Sequence, residues 1–241
     1  MNNYGIISQA RMTSTRLPGK VLLKVLDKPL IQYHVERLQW SNLPIYIATT
    51  TNKTDDAIID FCKELNISYY RGDEHNVLSR FYECALKNKL DVIVRVTSDC
   101  PLIDGKIIQE AVKQYMEWNN STIYYSNCLK RTFPRGFDFE IFSFKALKEA
   151  VENATDQSEL EHVTPYINTN RSGKIILKHF VYKKDESAYR LTVDTPEDFE
   201  LIKELIENFN CEKKGTSEVI RLLKLNPHLT KINQHIEQKK S

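Results

Sequence analysis

Three cations recur between positions 11 and 20: Arg11, Arg16 and Lys20, in the stretch Ser8-Gln9-Ala10-Arg11-Met12-Thr13-Ser14-Thr15-Arg16-Leu17-Pro18-Gly19-Lys20. They alternate with small hydroxyl residues and end on a Pro-Gly turn. The apolar stretch Tyr4 to Ile7, just before them, reads as a short buried strand. An open α/β sheet binds ligands at the carboxyl ends of its strands, and cations with loop amides placed there suit a polyphosphate. Ser8, Thr13, Ser14 and Thr15 add hydrogen bonds to phosphate or base. Taken alone, three such cations read more plainly as a solvated basic loop. The interleaved hydroxyls and the turn after a buried strand favour the phosphate site. The loop is neither G-x-x-x-x-G-K-[ST] nor G-x-G-x-x-G.

Two acids stand just beyond apolar runs, Asp99 after Val92 to Thr97 and Asp194 after Leu191 to Val193. In a parallel sheet both would emerge at the edge that carries the first loop. Paired carboxylates beside a triphosphate suit Mg²⁺, which takes oxygen ligands and often only one or two carboxylates plus phosphate oxygens. The plainer readings are a turn acid before Pro101 for Asp99 and a neighbour of a helix cap for Asp194. Together, cations and carboxylates point to nucleotidyl transfer. A hydroxyl attacks the α-phosphorus of a nucleoside triphosphate, and fixed positive charge stabilises the departing pyrophosphate.

The elements that must position these residues alternate strand and helix. Strands are expected at Tyr4–Ile7, 44–49, Ile67–Tyr70 and Asp91–Thr97, and helices at Leu30–Leu38, from Asp55 and Asp56 through Leu65, Val77–Lys87 and Gly105–Trp118. Such alternation implies an α/β fold, a Rossmann-like, mostly parallel sheet with helices on both faces. In the second half, strands are expected at 122–126, Phe137–Phe142, Lys174–Tyr182 and Tyr189–Val193, with a helix over Ser143–Val151. Thr195-Pro196-Glu197-Asp198 is a capping signal for a helix. From Thr216 to about Gln238 the chain reads as short helices broken at Asn226-Pro227. No repeat or linker divides residues 1–241, which are expected to form one domain. Within it, about 122–190 is a strand-rich subregion and about 211–241 a helical tail.

Composition narrows the function. The 241 residues are enough for a sizeable core, and 41% hydrophobic against 27% charged is ordinary for a soluble protein. A net charge of +2, from 34 basic and 32 acidic side chains, argues for neither a nucleic-acid nor a membrane surface. No apolar run approaches the roughly 18 residues of a membrane span, and Met1-Asn2-Asn3-Tyr4 lacks the pattern of a signal peptide. Five cysteines, scattered and odd in number, suit reduced thiols in the cytoplasm.

The first loop resembles the A-R-x-x-S-x-R-L-P-G-K motif of sugar-nucleotide cytidylyltransferases, above all the spore-coat polysaccharide type, relatives of the CMP-Kdo and CMP-acylneuraminate synthetases. Arg95-Val96-Thr97-Ser98-Asp99-Cys100-Pro101-Leu102 resembles the family's second motif, and Val193-Asp194-Thr195-Pro196-Glu197-Asp198 its late V/I-D-T-P-E-D motif. The resemblance implies a nucleotide-diphospho-sugar transferase fold with a smaller strand-rich insertion for sugar binding and dimerisation. It also implies CTP and a small acidic sugar as substrates, Mg²⁺ on Asp99 and Asp194, and a homodimer. On the nucleotide side it implies Ser8, Gln9, Ala10, Arg11, Ser14, Arg16, Lys20 and Thr97. Arg71, Asn76 and Arg80 join them, from the segment Arg71-Gly72 and Asn76-Val77-Leu78-Ser79-Arg80. Arg11, Lys20, Asp99 and Asp194 would carry the chemistry. Phe133-Pro134-Arg135-Gly136-Phe137-Asp138-Phe139-Glu140 and Glu161-His162-Val163-Thr164-Pro165-Tyr166 supply the sugar-side candidates Arg135, Asp138, Glu161 and His162.

The chain departs from the Kdo enzymes, which carry Q-G-D-E-P where it has Thr97-Ser98-Asp99-Cys100-Pro101. They carry S-G-T-[DE]-R where it has Val77-Leu78-Ser79-Arg80. The acylneuraminate enzymes lack its full R-L-P-G-K. The nucleotide side is therefore better specified than the acceptor. Three other readings remain: a nucleotidyltransferase for a phosphorylated or phosphonate acceptor, a nucleotide-sugar glycosyltransferase (though no D-x-D element is present), and a catalytically silent nucleotide-binding protein.

Overall fold

In a computed structural model that describes residues 2–237, the strands that carry the site are paired at their carboxyl ends. β1 (Tyr4–Gln9) lies parallel between β4 (Ile45–Thr50) and β6 (Val92–Thr97), with Gln9 opposite Ala48 on one side and Thr97 on the other. β5 (Ser68–Gly72) continues the parallel half beyond β4. On the other side β8 (Glu140–Ser143) runs antiparallel to β6, followed by β7 (Ile123–Ser126) and β9 (Ile176–His179). The sheet order is β5-β4-β1-β6-β8-β7-β9. A two-stranded ribbon, β2 (Lys24–Val25) with β3 (Lys28–Pro29), leads into the first helix.

The sheet is covered on both faces, as the alternation of apolar residues requires. Ile6, Val92, Val94 and Val96 point to one core, which receives α1 (Leu30–Leu38), α4 (Gly105–Trp118), α8 (Pro196–Glu207) and α9 (Thr216–Leu225). Ile7, Ile93, Tyr124 and Phe142 point to the other, against α3 (Val77–Lys87) and α5 (Phe144–Asn153). A smaller cluster joins Ile47 to Ile58 and Phe61 of α2 (Asp56–Glu64). Successive residues of one strand serve opposite faces, so both layers depend on the same register.

Helices α1, α3 and α4 have the bounds expected from sequence, and Thr195 and Asp198 form the expected capping box at the start of α8. The second half needs corrections. Of the strand expected over Phe137–Phe142 only the end joins the sheet, and of Lys174–Tyr182 only Ile176–His179 does. Tyr189–Val193 is not a sheet strand. It is an irregular segment that bonds to two loops: Arg135 N–H donates to the Tyr189 carbonyl, Leu191 N–H to Arg135 and Val193 N–H to Asp99. Alternating apolar side chains bury such a segment as well as they bury a strand, so periodicity alone does not separate the two.

Gly136 makes that crossing possible. Its φ is +100°, and a Cβ there would lie 2.6 Å from the Leu191 backbone. Residues 157–168 form α6 (Gln157–His162) and α7 (Pro165–Asn168), for which no element was expected. The tail folds as α9 and α10 (Pro227–Thr230), broken at Asn226 as expected, while Gln238 lies outside the described residues. No helix among the described residues is long and apolar enough to cross a membrane.

Candidate active site

The first loop leaves β1 at Ala10 and is fixed at its root by a buried carboxylate. Asp55 accepts hydrogen bonds from Met12 N–H at 2.8 Å and from the Thr49 and Thr50 hydroxyls at 2.9 and 2.6 Å. Burial would raise the Asp55 carboxyl, but these bonds bring it below its ordinary value. The loop closes where Gly19 N–H donates to the Met12 carbonyl at 2.9 Å, with Gly19 in the left-handed region at φ +68°. The turn delivers Lys20 into the cleft. Sequence reading treated Asp55 only as a helix opener and missed its hold on this loop.

Lys20 Nζ donates to Asp99 Oδ2 at 2.8 Å and to Asp194 Oδ1 at 2.7 Å. The two acids singled out beside the first loop thus converge on a single cationic centre. Burial would lower the Lys20 ammonium, yet the two carboxylates hold it above its ordinary value. Burial would likewise raise Asp99, but Lys20 and the Thr97 hydroxyl, 2.5 Å away, keep it below the usual carboxylate range. Asp194 is further gripped by Arg16 at 3.0 Å and Arg190 at 2.8 Å. Arg190 escaped the sequence reading, because an arginine in an apolar stretch carries no signal of what it will face.

Two adjoining clefts meet at this cluster. One, of about 440 Å³, is lined by Gln9, Ala10, Arg11, Ser14, Arg16 and Lys20 from the first loop. Arg80, Thr97 and Asp99 complete that wall. Arg80 is almost fully buried, and burial with the charge of Arg11 pushes its guanidinium down, though it remains a cation at neutral pH. The second cleft, of about 680 Å³, is lined by Arg135, Asp138, Arg131, Arg95 and Glu140. Asp99, Asp194, Glu161 and His162 border both.

The expected site residues therefore gather in one place, with three set apart. Ser8 is fully buried beneath the clefts, its Oγ 2.8 Å from His34 Nε2 and 2.7 Å from Ser98 Oγ. Arg71 braces the loop after β4, donating to the Thr50 and Asn52 carbonyls at 2.8 Å and to Asp56 at 2.8 Å. Asn76 caps α3 by accepting from Ser79 N–H at 2.9 Å.

In the larger cleft, Arg131 pairs with Asp138 at 2.5 Å. Arg95 pairs with the buried Glu140, which also accepts from the Tyr124 hydroxyl and, at 2.7 Å, from the Thr164 hydroxyl. Arg135 faces the same space, its guanidinium lowered by burial and by the like charge of Arg131. Val163, between His162 and Thr164, sits at φ 70° and ψ −50°, a strained turn for a β-branched residue. It is closed by Thr164 N–H donating to the His162 carbonyl at 2.8 Å.

A family model described as cytidylyltransferase matches residues 5–223. The chain is 32% identical over 239 residues to the spore coat polysaccharide biosynthesis protein SpsF of Bacillus subtilis, covering 94% of this chain and 96% of that one. A solved cytidylyltransferase from Leptospira borgpetersenii superposes with a TM-score of 0.92 at 33% identity, over the whole of both chains. A CMP:2-keto-3-deoxy-manno-octonic acid synthetase, solved with CTP, aligns at a TM-score of 0.63 and 17% identity, over 85% of this chain and 98% of that one. At that identity the likeness is one of fold.

Proposed function

Because the chain belongs to the cytidylyltransferase family and is a nucleotidyltransferase, we propose that it transfers CMP from CTP to a small acidic sugar with Mg²⁺, releasing pyrophosphate. The product would serve a surface polysaccharide or glycan, as the name of the Bacillus relative suggests. One observation carries this reading: Lys20 Nζ joins Asp99 to Asp194 where a cation-lined cleft meets a second, arginine-rich one, which supports a triphosphate in the first and an acceptor in the second.

The donor set fits Mg²⁺. Among the described residues no cluster of three or more His, Cys, Asp or Glu could hold a metal. Two hard carboxylates that already converge on one cation are what Mg²⁺ uses when phosphates supply further oxygens. Bound there, it would supply positive charge to the α-phosphate and the leaving group.

The chain's own residues do the rest. Arg11, Arg16 and Lys20 neutralise the β and γ phosphates, Gln9 and Ala10 border the base, and Arg80 adds charge behind them. Arg135, with Arg131 and His162 nearby, holds the anionic group of the acceptor. An acceptor hydroxyl oxygen then bonds to the α-phosphorus as the bond from that phosphorus to the bridging oxygen breaks; pyrophosphate departs with the bonding pair, and the hydroxyl proton passes to solvent water. Asp99, ionised well below neutral pH, suits holding charge better than taking that proton. The arginine-rich cleft also favours a second acceptor class, a phosphorylated or phosphonate compound.

The test is pyrophosphate release from each of the four NTPs with Mg²⁺, against Kdo, neuraminic, legionaminic and pseudaminic acids and a set of sugar phosphates. Release with CTP and one acidic sugar supports the proposal. Release only with a phosphorylated acceptor supports the second reading, and liberation of a nucleoside diphosphate would reject both.

A further inference from the structure

Asn233 lies beyond the stretch matched by the family model, in a tail to which the sequence assigns no chemistry. It is 2% exposed. Its Nδ2 donates to the Arg190 carbonyl at 3.0 Å and to Asp198 Oδ1 at 2.8 Å. Asp198, fully buried, also accepts from Arg190 Nε at 2.8 Å and Nη2 at 2.9 Å, and from the backbone N–H groups of Asp194 and Thr195 at 3.0 and 3.2 Å. The same Arg190 Nη2 reaches Asp194 Oδ2 at 2.8 Å.

From this chain of contacts we infer that Asn233 is a positioning residue: through Asp198 and Arg190 the C-terminal tail fixes the Asp194 carboxylate for its work in the cleft. Two routes run from Asp198 to Asp194, one through its backbone N–H and one through the shared guanidinium. Backbone and side chain of Asp194 are thereby both tied to one buried carboxylate, while Lys20 and Arg16 hold the side chain from the cleft. That buried carboxylate accepts five hydrogen bonds, so loss of the Asn233 donor leaves Asp198 Oδ1 under-satisfied and lets it draw the guanidinium away from Asp194. Arg190 then holds Asp194 less firmly at the end that faces Arg16 and Lys20.

The inference rests on Asp194 taking part in metal binding. Partners of a metal-holding carboxylate commonly change affinity by about tenfold or more when removed. Mn²⁺ binding is measured by electron paramagnetic resonance on the full chain with a non-hydrolysable CTP analogue. Variants are Asn233→Ala, Asp194→Asn and Leu229→Ala, the last removing a buried tail side chain outside these contacts. Melting temperatures are recorded alongside.

The expected result is about tenfold weaker Mn²⁺ binding in Asn233→Ala and unchanged binding in Leu229→Ala, although Leu229→Ala melts as early or earlier. Asn233→Asp, which sets a second carboxylate against Asp198, should be worse than Asn233→Ala. Wild-type Mn²⁺ affinity in Asn233→Ala overturns the inference, as does equal weakening in Leu229→Ala. Unchanged Mn²⁺ binding in Asp194→Asn would instead remove the metal reading beneath it.

Discussion

Lys20 Nζ and Asp194 Oδ1 stand 2.7 Å apart although they lie 174 positions apart in the sequence. This contact ties the first loop to the segment before α8, and with Asp99 it makes the point where the two clefts join. Lys20→Met keeps most of the length of the side chain and removes the charge. The KM for CTP should rise by at least about tenfold and kcat should fall by about a hundredfold. Steady-state kinetics with saturating acceptor give both values, and a near-normal KM for CTP would exclude Lys20 from the triphosphate side.

Asp99→Asn preserves shape and the hydrogen bond to Thr97 but removes the charge that faces Lys20. Turnover should fall by about a hundredfold or more, and excess Mg²⁺ should restore little of it. Near-normal kinetics across a Mg²⁺ titration would sink the metal assignment.

Arg135→Ala should raise the KM for the acceptor about tenfold while leaving that for CTP within about twofold, since Arg135 borders only the larger cleft. The opposite split would move Arg135 to the nucleotide side.

His34 sets a pH dependence of stability. Its Nδ1 lies 2.9 Å from the Cys100 carbonyl, to which it must donate, and burial keeps the ring neutral, which leaves Nε2 to accept from Ser8 Oγ. Burial pushes its pKa down to about 4 from 6.5. The unfolded chain therefore binds a proton between pH 6.5 and 4 that the folded one does not. Stability is complete above about pH 6.5 and falls as pH drops toward 4, by up to about 3 kcal/mol. Urea unfolding at pH 7.5 and 5.0 should show this loss in the wild type and a smaller one in His34→Gln. Equal losses would mean that another group titrates.

The sequence by itself determined the parallel half of the sheet, the helices that cover it and most of the residues that line the smaller cleft. Local signals were strong there: apolar runs bounded by turns, helical spacing in α1, α3 and α4, and a capping box at Thr195. Charged loops at strand ends also announce themselves, because a parallel sheet brings its carboxyl ends to one edge whatever the loops contain.

What only the tertiary structure decided were contacts between residues with no local reason to meet. Tyr189–Val193 alternates like a strand, yet it bonds to the loops at Arg135 and Asp99, a choice made by Gly136 and by neighbours distant in sequence. Ser8, Arg71 and Asn76 share a segment with cleft residues but turn to His34, the Thr50 carbonyl and the Ser79 amide. Arg190, Asp198 and Asn233 show the same limit most clearly. A buried charge is tolerable only when its partners surround it, and those partners come from separate parts of the chain.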